Sequence, residues 1–159
     1  MIIGYDSKYD NDIKELFYEL HEYIVSIDKE GYNVISPEYK EDFFNKVMTS
    51  IKGYNGKIML YIKDNRVVGL IVGSINNEET NDYDFKAPKR GRINELIVNK
   101  DYRGQKIGEE LLLAMEKYLK DLGCKAILIE VFAYNENAKK FYEKKGYHFR
   151  MTEVIKVDN

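Results

Sequence analysis

One domain of mixed α/β (α+β) class, a central mixed, mostly antiparallel twisted sheet with helices on both faces, is what this 159-residue sequence predicts. Three observations lead there. Apolar residues recur at helical spacing near the start and again after Gly108, two β-branched runs meet at a two-residue turn, and the second half alternates strand-like and helix-like stretches. At this length folding buries roughly 70% of the extended-chain surface, enough for one core spanning 1–159 without a second domain.

The first helix is expected from Asp10 to Val25, where Ile13, Leu16, Phe17, Leu20 and Ile24 fall on one face. Ser36 and Pro37 read as an N-cap and first-turn pair for a second helix. Its stripe is Phe43, Phe44, Val47, Met48 and Ile51, and it ends near Gly53. Lys57 to Lys63 and Arg66 to Ser74 form a hairpin across Asp64 and Asn65. Asn76 to Arg90 is polar, contains Pro88 and shows no period, so an exposed substrate-side loop is expected. Its acids Glu78, Glu79, Asp82 and Asp84 suit a cationic amine, although such a cluster is usually a solvated face.

Ile93 to Val98 is a third central strand, buried on both faces, with Ile93, Glu95 and Ile97 on one side by alternation. Leu111, Leu112, Met115, Tyr118, Leu119 and Leu122 mark a helix stopped by Gly123. A strand from Ala126 to Phe132 follows, then a helix from Asn137 to Lys145 ended by Gly146, and a final edge strand from Tyr147 to Val157.

Composition narrows the function. The chain is 44% hydrophobic and 33% charged, which fits a soluble globular protein and neither a disordered nor a membrane-spanning one. Its 25 basic and 27 acidic side chains are interspersed, so neither nucleic acid nor a membrane surface is an expected partner. The single cysteine, Cys124, excludes an intramolecular disulfide and a cysteine-based metal cluster, and no metal is expected. Charged residues close behind Met1 and the lack of an apolar run near about 18 residues predict a cytoplasmic protein.

Chemistry concentrates where a strand ends at Val98, a turn carries Arg103, Gly104, Gln105, Lys106 and Ile107, and a helix begins near Gly108. The first amides of a helix lack internal acceptors and carry the positive end of its dipole, so this junction can hold a pyrophosphate. Glycines let the backbone approach, and Arg103 and Lys106 add charge. Neither the P-loop nor the dinucleotide fingerprint is present, which disfavours an ATPase or a dehydrogenase.

The segment Arg103-x-x-Lys106-x-Gly108 resembles motif A of the GNAT superfamily of N-acetyltransferases, with Lys106 standing where the first glycine is usual. Downstream, Asn135-x-x-Ala138-x-x-Phe141-Tyr142-x-x-x-Gly146-Tyr147 resembles motif B at every fixed position. The resemblance implies acetyl-CoA as donor, a primary amine on a small molecule, peptide N-terminus or lysine as acceptor, and direct attack in a ternary complex. It implies donor contacts from Leu96, Ile97 and Val98, from Arg103, Gly104, Gln105, Lys106, Ile107, Gly108 and Glu109, and from Asn135, Ala138 and Tyr142. Tyr142 is implied as general acid, its alternative being packing on an aromatic helix face; Asn135 as a pantetheine contact, its alternative being a helix-starting turn residue. Glu95 is an acceptor anchor or base relay, or else an ion-pair partner of Arg92 or Lys57. The acceptor's identity is not encoded in a motif, and the oligomeric state stays open, a homodimer included. A non-catalytic CoA-binding regulatory module is the competing reading.

Overall fold

The computed structural model describes residues 1–157, so Asp158 and Asn159 of the expected domain lie outside the described residues. The main sheet has five strands in the order β1 (Ile2–Gly4), β2 (Lys57–Lys63), β3 (Arg66–Asn77), β6 (Arg90–Val98), β7 (Ala126–Ile129). All neighbours are antiparallel except β6 and β7. Between β3 and β6 a small hairpin, β4 (Thr80–Asn81) and β5 (Lys86–Ala87), forms its own two-stranded sheet. The expected loop is therefore shorter than read, because β3 runs on to Asn77 and β6 starts at Arg90. Its acids stay exposed, as a solvated face would be.

Each side of the sheet has its own core. Helices α1 (Asp10–Ile27) and α2 (Tyr39–Lys52) cover one face, burying Ile13, Leu16, Phe17, Phe44 and Val47 against Leu60, Leu70, Val72 and Ile97. Helix α3 (Ile107–Asp121) covers the other with Leu111, Leu112, Met115 and Leu119 against Ile71, Ile75 and Ile93. Its close approach requires glycine beneath it: a Cβ at Gly73 would lie 2.6 Å from Met115 Sδ, and one at Gly91 2.9 Å from Leu119 Cδ1. Helix α4 (Glu136–Lys144) lies beyond β7 in the chain and packs Phe141 and Tyr142 against the α3 core.

Several expectations are corrected. Helix α2 begins at Tyr39 rather than at Ser36, whose carbonyl accepts from Tyr39 N at 3.2 Å while its side chain caps nothing. Strand β7 stops at Ile129 because pairing with β6 stops there. The final strand from Tyr147 to Val157 is not formed, since no neighbouring strand supplies its ladder bonds. Strand β1, too short to show a period, was not anticipated, and it pairs with β2 through Ile2, Ile3 and Gly4. The hairpin turn is as expected: Asp64 and Asn65 have φ of 52° and 58°, the left-handed pair that a two-residue hairpin turn uses.

Candidate active site

The site originates in one irregularity of β6. Glu95 stands opposite Val72, whereas Ile93 stands opposite Gly73, so Asn94 is an extra residue and the strand bulges. The alternation expected for Ile93, Glu95 and Ile97 is thereby broken. Glu95 and Ile97 face α1 and α2, while Ile93 joins Leu96 and Val98 on the α3 side. The bulge is also where the sheet splits. Strand β7 follows β6 only as far as Ile93, so from Asn94 to Val98 the outer edge of β6 has no strand partner among the described residues. The outward backbone groups of Leu96 and Val98, apart from Val98 O, which Arg103 engages, are open on that edge to an extended ligand arm.

At the end of the same strand comes the turn expected from sequence to cradle an anion. Lys100–Tyr102 makes a 3₁₀ turn capped by Asn99, whose side chain accepts from Asp101 N at 3.1 Å. Gly104 and Lys106 then adopt φ of 77° and 63°. Lys106 is the N-cap of α3 and offers no side-chain cap. Among the described residues, the backbone N–H groups from Gly104 to Glu109 donate to no backbone acceptor. These unpaired amides fit a diphosphate at the positive end of the α3 dipole. The left-handed φ at Lys106 explains why glycine is usual at this place in motif A.

Individual side chains around the cradle play different parts. Arg103 turns back, donating from Nε to Val98 O at 3.0 Å and from a terminal nitrogen to Glu19 Oε1 at 3.0 Å. Gln105 accepts from Lys63 Nζ at 2.8 Å, and Ile107 is a core residue whose only free polar group is its backbone. Glu109, in the first turn of α3, is paired with Lys145 at 2.5 Å, which holds its carboxyl below the usual range and offsets a negative charge near the first amides of the helix. A Cβ at Gly108 would meet Val98 and Phe141 at 3.5 and 3.8 Å, ordinary contact.

Helix α4 brings the remaining motif residues to the split. Asn135 Oδ1 accepts from Ala138 N at 3.1 Å and from the Tyr23 hydroxyl at 3.4 Å, so it starts the helix and leaves its Nδ2 for a ligand. Ala138's own N–H is used in that cap. The Tyr142 ring packs edge-on against Phe141 and Tyr147, at 5.2 and 5.6 Å between centroids. Burial first and the Glu95 charge second push its phenol pKa upward, with no hydrogen bond contributing.

Glu95 has neither of the ion-pair partners considered from sequence. Arg92 is engaged by Glu130 at 2.5 Å and Asn76 at 2.8 Å, and Lys57 lies over the Tyr118 ring. Burial pushes the Glu95 carboxyl up to about 7, with the Lys46 charge pulling the other way. Tyr39, which no motif marked, belongs to the same place. The Glu95 charge adds to burial in raising its phenol pKa, and its ring is held between His21 at 4.0 Å and Phe43 at 5.3 Å, nearly parallel to both. Two phenols, Tyr39 of α2 and Tyr142 of α4, thus feel the charge of the one carboxylate on β6. His21 stacks on Tyr39, and its Nε2 lies 2.7 Å from Val34 O.

A split sheet edge and a run of unpaired amides at the end of the same strand can together hold an extended anionic ligand. The chain belongs to the Acetyltransferase (GNAT) family, whose pattern matches residues 13–147. It is 38% identical over 88 residues to an N-acetyltransferase of Methanocaldococcus jannaschii, covering 55% of this chain and 49% of that protein, about half the relative's length. In fold it resembles the tetramutant of the BH1408 protein of Bacillus halodurans, with a TM-score of 0.84, 20% identity and 99% of each chain covered. It also resembles AAC(6')-Iy in complex with the bisubstrate analog CoA-S-monomethyl-acetylneamine, with a TM-score of 0.71, 10% identity and 100% and 97% coverage. No helix among the described residues is long and apolar enough to cross a membrane.

Proposed function

We propose that the protein transfers an acetyl group from acetyl-CoA to a primary amine, by direct attack with donor and acceptor bound together. The observation that carries this reading is Glu95, a carboxylate beside the β6 bulge that makes no hydrogen bond or ion pair among the described residues and that burial pushes up to about 7, on the strand that β7 leaves at Ile93. When bound, acetyl-CoA supplies a thioester already activated toward amines. The amides from Gly104 to Glu109 hold its diphosphate, and the open edge at Leu96 and Val98 aligns its arm. An alkyl ammonium, with a pKa near about 10.4, must lose a proton to attack. Glu95 ionises as pH rises through about 7, and its carboxylate then attracts the ammonium and relays that proton to water. Tyr142, its pKa raised, keeps its proton throughout, and its hydroxyl donates to the departing sulfur. Transfer from such a phenol to a thiolate near about 8.5 runs uphill, so the hydrogen bond to sulfur matters more than complete proton transfer.

The similarity to a protein solved with a CoA-aminoglycoside analog supports an amine acceptor of small-molecule size, and the aromatic wall of Tyr39, His21 and Phe43 supports one with an apolar or ring-bearing body. The exposed Phe149, Met151, Val154, Ile155 and Val157, beside no covering element, support a homodimer through this C-terminal segment. Mass spectrometry of a panel of primary amines incubated with acetyl-CoA and the protein tests the activity: at least one acetylated amine is expected, and none with CoA binding intact would leave the CoA-binding module as the better reading.

A further inference from the structure

Resting on the reading of Gly104 to Glu109 as the donor-diphosphate cradle, we propose that Glu19, on α1, is a positioning residue for that cradle: its carboxylate fixes the turn from Asn99 to Arg103 and so sets donor affinity without touching donor or acceptor. Oε1 accepts from Lys100 N at 2.8 Å and from the Arg103 guanidinium at 3.0 Å, while Oε2 accepts from Asn99 Nδ2 at 2.9 Å. One carboxylate thereby uses both oxygens on three groups of a single five-residue turn. The turn is held from two other sides as well, by Asn99 N donating to Val68 O at 2.9 Å and by Arg103 Nε donating to Val98 O.

This turn leads directly into Gly104, whose backbone is left-handed, and then into the unpaired amides. An exposed loop without such ties loses conformational freedom when a ligand orders it, and that loss reduces affinity. Glu19 removes it in advance. A carboxylate would repel a diphosphate if it stood free, yet here its charge is matched by Arg103, and its side chain is only 21% exposed. Two of the guanidinium's five donors are spent on Glu19 and Val98, and the others remain available to an anion.

The test compares two donors in the intact protein, acetyl-CoA and acetyl-pantetheine, which lacks the diphosphate, with an amine accepted by the wild type. Glu19→Gln, which keeps the volume and loses one acceptor, is expected to raise KM for acetyl-CoA about tenfold, as loss of a charge-assisted hydrogen bond would. It should leave kcat, the acceptor KM and kcat/KM for acetyl-pantetheine within about twofold. Asn99→Asp, which sets a like charge against Glu19 from the other side, should show the same donor-selective loss should Glu19→Gln fail to fold. Glu22→Gln, at an exposed neighbour on α1, should change nothing. Equal losses with both donors, or an unchanged KM for acetyl-CoA, would overturn the proposal. A wild type that acetylates no amine would instead count against the acetyltransferase reading itself.

Discussion

Glu95 of β6 faces Val72 of β3 directly, although Ile93, two positions earlier, faces Gly73, the next residue on that strand. This one-residue mismatch moves Ile93 to the α3 face, while Glu95 keeps the α1 and α2 face with Ile97 just beyond the point where β7 leaves the sheet.

Replacing Glu95 by Gln keeps the shape and removes the ionisable group. We expect kcat/KM to fall about 10² to 10⁴-fold, the usual worth of a positioned proton acceptor. In the wild type the rate should rise with pH through about 7 as Glu95 ionises, and the variant should lack that limb. Steady-state rates from about pH 5.5 to 9 with a saturating amine measure both.

The same group governs stability. Because burial raises the folded-state pKa to about 7 from 4.5, the native state holds a proton that the unfolded chain has released between those values. Stability must then decline as pH rises across that window, by an amount on the order of 3 kcal/mol. Thermal unfolding of Glu95→Gln should show no such decline, so the variant melts above the wild type at about pH 8 and level with it at about pH 4.

For Tyr142→Phe the expectation is a lower kcat, by about 10²-fold or more, with CoA affinity nearly unchanged, because the ring still packs against Phe141 and Tyr147. Calorimetric titration with CoA beside turnover measurements separates the two quantities. An unchanged kcat would reduce Tyr142 to a packing residue.

Lys106 sits at φ 63°, where a β-carbon costs roughly 1 kcal/mol or more. Lys106→Gly relieves that strain at the price of greater freedom in the unfolded chain, so we expect a gain in stability below about 1 kcal/mol. Donor affinity should drop only a few-fold, through loss of one charge, if the backbone amides supply most of the binding. Denaturant titration and CoA binding report the two effects.

At Gly108 there is room for a methyl group, so Gly108→Ala should retain donor binding. Gly108→Asp puts a negative charge within the first turn of α3, against the diphosphate, and should weaken CoA binding by at least tenfold. Equal affinities for the two variants would remove the cradle from this place.

Much of this was legible before the structure. Helices with strong 3.6-residue periods, Asp10 to Ile27 and Ile107 to Asp121, were readable because their buried stripes are long, and the hairpin because Asp64-Asn65 accepts left-handed backbone. Helix-end physics and motif A both pointed to Arg103 through Gly108, where the structure has a run of backbone amides without backbone acceptors. What stayed hidden depends on distant partners. The bulge at Asn94 is fixed by register with β3, so strict alternation placed Ile93 on the wrong face. Tyr39 and Glu19 reach the site from helices that no motif covers, and the turned-back guanidinium of Arg103 depends on Glu19, far away in sequence. Tyr147 to Val157 has strand-like composition, but a strand also needs an edge to pair with, which composition does not reveal.

The central claim is acetyl transfer to an amine at the split between β6 and β7. The most direct measurement is the rate of free CoA thiol release from acetyl-CoA, followed with and without each of a panel of primary amines. Release is expected to depend on a particular amine, to saturate with it, and to be lost in Glu95→Gln. Release that no amine accelerates, from protein that binds acetyl-CoA tightly, would contradict it.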